Sequence, residues 1–167
     1  MNDTATPNKL TRRMLLLGGA AVVVGGSLGA SQWFNVFAEA ATPGALSVAD
    51  AHAQARSGDI YLVDIRRPDE WVKTGVAEYA KPIDMRRDDF ETTLQAIFTE
   101  FGEKPVALIC ARGVRSNRMN QRLAAAGFAN ILDVPEGMLG SGAGPGYIAR
   151  ALPLRAPTKA EMNGQIL

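Results

Sequence analysis

Pro105-Val106-Ala107-Leu108-Ile109-Cys110-Ala111-Arg112-Gly113-Val114-Arg115-Ser116 is the stretch that decides how this chain reads. Its first half is an unbroken apolar run. A strand that is apolar at every position is covered on both faces, as in a parallel sheet under helices. Its second half bends at Gly113 and leads into residues 116–126, where Met119, Leu123 and Ala126 share one helical face and Gly127 closes the element. A strand feeding a helix through so short a loop puts Cys110 at the carboxyl end of the strand. In open parallel sheets that is where ligands bind.

The same grammar extends outward in both directions. Ser47 caps a helix over residues 48–56 with Asp50 in its first turn, and Ser57-Gly58-Asp59 stops it. Residues 60–65 form a second apolar strand, interrupted only by Asp64. Pro68 opens a short helix through Trp71. Residues 82–85 read as a short strand. Asp88 and Asp89 begin a helix with Phe90, Leu94, Ile97, Phe98 and Phe101 at helical spacing, ended by Gly102. Ile131 to Val134 is a last strand, followed by a glycine-rich segment over 136–146. Strands alternating with helices through short connections predict an α/β fold: a mainly parallel central sheet flanked by helices on both faces. No internal repeat is present.

The chain has 167 residues, 47% apolar and 21% charged, with a formal net charge of +1. That composition supports one packed domain. It offers no basic stripe for nucleic acid. With Cys110 the single cysteine and His52 the single histidine, an internal disulfide, a cysteine zinc cluster and a histidine-rich metal site are all excluded. No metal or cofactor is expected.

The front of the chain has a different character. Residues 1–13 are polar and end in Lys9, Arg12 and Arg13, and no charged residue follows until Glu39. A basic leader, an apolar run and the small-x-small pattern Ala38-Glu39-Ala40 describe an export signal over 1–40, cleaved before Ala41. Thr11-Arg12-Arg13-Met14-Leu15-Leu16 is similar to a twin-arginine signal, although Leu15 stands where Phe is common and the trailing Lys is missing; the general secretion route stays open. The alternative is a retained anchor over 14–38, since about 20 apolar residues span a bilayer. Both place the remainder outside the cytoplasm, in the periplasm. Residues 41–45 read as a linker, 46–155 as the domain, and 156–167 as a tail.

The chemistry gathers around Cys110. The tight loop turns successive amides inward, the helix amino terminus adds partial positive charge, and Arg112 and Arg115 flank the same turn. Such surroundings favour thiolate over thiol, and the thiolate is the nucleophile. The bland reading of Cys110 is a small buried apolar residue.

Cys110-x-x-Gly113-x-Arg115-Ser116 resembles the active-site loop of the rhodanese family of single-domain sulfurtransferases. Leu62-Val63-Asp64-Ile65-Arg66-x-x-x-Glu70-Trp71 is similar to that family's first strand motif. Gly127-Phe128 through Val134, then Glu136-Gly137-Met138, resembles its last strand and closing loop, with Gly146-Tyr147 and Leu152-Pro153-Leu154 like its carboxyl end. Gly75-Val76-Ala77 stands where the family often has Gly-His-Ile, and 140–146 is unusually glycine-rich.

The resemblance implies that Cys110 accepts a sulfane sulfur as a persulfide, from thiosulfate or a similar donor, and passes it to an external thiol or cyanide-like acceptor. It implies a sulfur-binding loop of Ala111, Arg112, Gly113, Val114 and Arg115. Arg115 holds either the loop or the anionic donor, and Arg112 biases the pocket mouth toward anions. Asp64 and Arg66 pair or orient the loop, with Ser116 in support. Glu70 and Trp71 serve packing and capping, and His52 is a surface or packing residue. Two rivals stand beside this reading. Cysteine phosphatases and arsenate reductases carry Cys-x5-Arg, whereas only Ala111, Arg112, Gly113 and Val114 separate Cys110 from Arg115 here, a smaller cradle suited to one sulfur atom. A non-catalytic rhodanese-like module docking a periplasmic redox partner is the alternative from another class.

Overall fold

The computed structural model describes residues 44–102 and 104–165. The proposed leader and most of the linker lie outside the described residues. Among those described, no helix is long and apolar enough to cross a membrane.

Four parallel strands form the central sheet: β1 (Tyr61–Asp64), β3 (Lys81–Pro82), β4 (Val106–Ile109) and β5 (Ile131–Val134), in the order β3-β1-β4-β5. β2 (Val76–Ala77) pairs antiparallel with β6 (Leu154–Arg155) in a separate ribbon. The helices are α1 (Val48–Ser57), α2 (Pro68–Thr74), α3 (Phe90–Phe101), α4 (Val114–Ala125) and the short α5 (Lys159–Met162).

Strand alternation sorts the core into two layers. Leu62, Ala107, Ile109 and Val134 point to one face, where they meet Val48 and Ala51 of α1 and Trp71 of α2. Val63, Leu108 and Cys110 point to the other, against Phe90, Leu94 and Ile97 of α3 and Met119 and Leu123 of α4. Both faces are covered, which is why β4 is buried at every position. Each fully buried Leu or Ile contributes about 1.5–3 kcal/mol, so these two layers carry most of the fold's stability.

The strand order has a consequence for the site. From β1 the chain steps outward to β3, and from β4 it steps outward to β5 on the opposite side. The reversal falls between β1 and β4. A crevice opens beyond the carboxyl ends of strands at such a switch point, and here those ends carry Asp64 and Cys110.

Several boundaries differ from the sequence expectation: the helix opened by Pro68 runs on past Trp71 to Thr74, and the strand expected at 60–65 is Tyr61–Asp64. The strand expected at 82–85 is Lys81–Pro82, because the Asp84 carboxylate accepts the Arg86 amide at 3.0 Å and turns the chain away. α3 starts at Phe90 rather than at the two aspartates, since the Asp89 carboxylate is bound by Arg87 and caps nothing. α4 starts at Val114, not Ser116. Gly113 adopts φ 79°, ψ −20°, a left-handed conformation that completes the turn in a single residue and lets the helix begin at once.

Candidate active site

Cys110 follows β4 directly, and its thiol is buried, 1% exposed, under the first turn of α4. Because the helix begins at Val114, Val114 and Arg115 belong to that first turn rather than to a free loop. The first intrahelical bond runs from the Asn117 amide to the Gly113 carbonyl at 3.0 Å. The amides ahead of it have no intrahelical carbonyl to pair with, as at every helix start, and they form a concentration of donors and partial positive charge beside the sulfur. Ser116, also buried, places Oγ 3.5 Å from Cys110 Sγ and 3.1 Å from the Gly113 carbonyl.

A second segment backs the loop. The Met138 amide donates to the Cys110 carbonyl at 2.9 Å and the Leu139 amide to the Ala111 carbonyl at 2.8 Å. This contact brings Gly137, at φ +67°, against the loop backbone. A Cβ there would stand 2.7 Å from the Ala111 carbonyl oxygen and 2.8 Å from the Arg112 nitrogen. Gly137→Ala is therefore expected to destabilise the domain by about 1–3 kcal/mol through backbone strain and displacement of the Cys110 loop; thermal melting of the variant checks this. The closing segment is itself held by Glu136. Its carboxylate accepts the Val48 amide at the start of α1 (3.2 Å), the Gly146 amide (3.2 Å) and Arg150 Nε (3.0 Å).

The two arginines of the loop differ in their commitments. Arg115 donates two bonds of 2.7 Å to the two oxygens of Glu70. The guanidinium is thereby fixed beside the loop, and its pKa is raised first by the Glu70 hydrogen bond and further by the charges of Glu70, Cys110 and Asp64. Glu70 also accepts the Arg67 amide at 3.1 Å. Burial alone would raise its carboxyl. Hydrogen bonds from Arg115 and the Arg67 amide, with the charges of Arg115 and Arg66, outweigh burial and hold it at about 2. Ionised Glu70 thus stabilises the fold fully above its ordinary value of 4.5, and that stability is lost as pH falls from 4.5 toward 2. After allowance for solvent screening the loss amounts to about 1–2 kcal/mol. Chemical denaturation of wild type and Glu70→Gln at pH 7 and pH 3 should show the gap between them closing in acid.

Arg112 is exposed. Its Nη1 donates to the Gly140 carbonyl at 3.3 Å, and the side chain lines a cavity of about 580 Å³ with Leu139, Ser141, Gly142 and Pro145. The glycine-rich segment is the wall of this cavity.

Asp64 and Arg66 form a pair buried from solvent at the end of β1. Arg66 Nε lies 2.9 Å from Asp64 Oδ1, and Nη2 lies 2.6 Å from Oδ2. The same guanidinium donates to Thr74 Oγ1 at 2.7 Å and to the Gly75 carbonyl at 2.8 Å, tying β1 to the end of α2. His52 is half-buried against Tyr147, with Nδ1 2.8 Å from the phenol oxygen.

Two features of the site escaped sequence reading. The Glu70–Arg115 fork joins residues distant in the chain, where the sequence assigns Glu70 only to packing and capping. Asp133, a buried carboxylate on β5, reads in the sequence simply as part of a strand. The available signal was a charge in the middle of the apolar run Ile131-Leu132-Asp133-Val134.

Solved structures of other proteins share this fold. The polysulfide-sulfur transferase homodimer of Wolinella succinogenes is 27% identical, covers 69% of this chain and 80% of its own, and superposes with a TM-score of 0.50. A protein from M. tuberculosis, 21% identical, covers 68% of this chain and 97% of its own with a TM-score of 0.51. A protein from Anabaena, 12% identical, covers 72% and 87% with a TM-score of 0.51. At the identities of the latter two the likeness is one of fold. No curated protein matches the sequence. The model of the rhodanese-like domain matches residues 47–140, from the cap of α1 through β1, the Cys110 loop and the closing segment. With that match covering more than half of its length, the chain belongs to the rhodanese-like domain family.

Proposed function

We propose that this protein is an exported sulfurtransferase that carries a sulfane sulfur as a persulfide on Cys110. The observation that carries the reading is the seat of that thiol: at the carboxyl end of a central strand, on the switch-point crevice, under the donor-rich first turn of α4. In the first half-reaction the Cys110 thiolate attacks the outer sulfur of thiosulfate or a similar donor. A Cys–S bond forms, the sulfur–sulfur bond of the donor breaks, and sulfite leaves with the bonding pair. In the second, cyanide or an external thiol attacks the terminal sulfur and frees the thiolate. The helix amides stabilise the charge on the outer sulfur in the persulfide state. Arg115, fixed by Glu70, supplies positive field beside the loop, and Arg112 draws anionic donors to the mouth. With one cysteine in the chain, the acceptor has to come from outside. The likeness to a polysulfide-sulfur transferase supports sulfur transfer as the reaction class, and the basic, then apolar, leader supports a periplasmic location.

One observation favours a second reading. The thiol is almost wholly buried, as suits a non-catalytic module that docks a periplasmic redox partner. The deciding experiment is a steady-state assay of thiocyanate release from thiosulfate and cyanide, repeated with polysulfide and an organic persulfide. Turnover proportional to protein is the expected result. Absence of turnover with all three donors, in a protein that melts cooperatively, sinks the enzyme reading and leaves the module.

A further inference from the structure

Arg112 differs from the arginines around it. Arg115 is held by Glu70 and Arg150 by Glu136, whereas Arg112 has no carboxylate partner among the described residues. Its bond from Nη1 to the Gly140 carbonyl, at 3.3 Å, leaves the other donors of the guanidinium open. The cavity that Arg112 lines, about 580 Å³, has no acidic residue in its lining. Leu139 stands in the same wall and is 44% exposed. The cavity thus offers an uncommitted cation beside an open apolar side chain.

The wall is held in place by the protein's own bonds. The Leu139 amide donates to the Ala111 carbonyl at 2.8 Å, one residue from Cys110. Beyond it, Ser141 and Gly144 exchange amide-to-carbonyl bonds of 2.9 and 3.2 Å across a tight turn. Ser141 Oγ donates to the Pro135 carbonyl at 2.7 Å and accepts the Ala143 amide at 3.1 Å. Gly144 packs on the Glu136 carboxylate with no room for a Cβ. That carboxylate is itself occupied by the Val48 and Gly146 amides and by Arg150. At the tip of the turn Gly142 is exposed, and its amide donates to no group among the described residues. A wall fixed before the ligand arrives lowers the cost of binding.

We propose that this cavity binds the sulfur acceptor, a small organic thiol that carries a carboxylate, with Arg112 holding the carboxylate and Leu139 packing on the hydrocarbon. The inference rests on the reading of Cys110 as the sulfur-carrying nucleophile and names the class of molecule that relieves it of sulfur. Sites for organic ligands run to about 300–1,000 Å³, and this cavity falls within that range. Cyanide and thiosulfate have no hydrocarbon to set against Leu139. In the transfer the acceptor thiolate attacks the outer sulfur of the Cys110 persulfide. A sulfur–sulfur bond forms on the acceptor, the bond from Cys110 Sγ to the outer sulfur breaks, and Sγ keeps the bonding pair as thiolate. Any proton on the outer sulfur travels with it. The acceptor leaves as its own persulfide, and no outside oxidant or reductant is required.

The test compares 6-mercaptohexanoate with 6-mercaptohexan-1-ol, thiols that differ only in the carboxylate. Binding to the reduced full chain is followed by amide NMR with no sulfur donor present. Saturable shifts at Leu139, Gly140 and Gly142 are expected, with the carboxylate thiol binding tighter by roughly fivefold or more, as a charge-assisted hydrogen bond at an exposed site provides. Arg112→Gln should erase that preference, and Leu139→Ser should weaken both thiols alike. Both side chains are exposed, so the two variants should melt as wild type does. With thiosulfate as donor, the same preference should appear in kcat/KM for the acceptor. Equal affinity of the two thiols for wild type overturns the proposal, as do shifts confined to residues outside the cavity wall or a preference that survives Arg112→Gln. Binding needs no sulfur transfer, so the two readings fail separately. Thiocyanate turnover without a carboxylate preference refutes this site alone. A carboxylate preference without turnover leaves the thiol site standing and removes the enzyme.

Discussion

Cys110→Ser is expected to abolish sulfur transfer, lowering turnover by roughly a thousandfold or more, because a serine hydroxyl stays protonated near neutral pH and cannot bear a persulfide. The fold should survive. The thiol is packed in the α3/α4 layer with Ser116 Oγ and the first turn of α4 at hand. A hydroxyl there exchanges one small group for another and finds partners, at a cost of about 1 kcal/mol. Loss of turnover together with a nearly unchanged melting curve is the signature of a reacting atom. A collapse in melting temperature would instead assign Cys110 to packing.

The second large effect falls on stability. Arg66→Ala should destabilise the domain by about 3–5 kcal/mol, since it leaves Asp64 as a buried carboxylate with its partner removed. The loss extends beyond the ion pair. Thr74 Oγ1 and the Gly75 carbonyl each lose a donor, so the junction of α2 with β2 loosens as well. Arg66→Lys should recover only part of this, because a single ammonium cannot serve a carboxylate fork, a hydroxyl and a carbonyl in one plane. Thermal and urea denaturation of the pair of variants measures both. Arg66→Ala should lower the melting temperature by about 10 °C or more. A change within 2–3 °C, roughly what loss of an exposed pair produces, would mean the buried pair is energetically idle.

Much of this architecture is written locally in the chain. Ile131–Val134 is a strand with the bounds its apolar run implies, and Gly102 and Gly58 end their helices where expected. Covered parallel strands were legible because Val106 to Ile109 leave no polar face. What local reading could not supply lies in pairings across sequence distance. β2 and β6 are two-residue strands that pair segments far apart in the chain, too short for any period to mark them. The helical face of Met119, Leu123 and Ala126 starts α4 at Ser116 in the sequence, whereas the structure uses Gly113 for the turn, begins the helix at Val114 and turns Ser116 inward to the sulfur. Asp84 reads as a strand residue until its carboxylate is seen to capture the Arg86 amide. The Cys110 loop was legible as a motif, but its support was not. Glu70 owes its role to Arg115, a neighbour that only the fold brings near.

The decisive measurement is the intact mass of the protein after incubation with thiosulfate and removal of excess donor, taken before and after a cyanide rinse. A gain of one sulfur atom, absent in Cys110→Ser and released by cyanide as thiocyanate, is the expected result. An unchanged mass with thiosulfate, polysulfide and organic persulfide alike would contradict a persulfide on Cys110 and leave this domain a docking module.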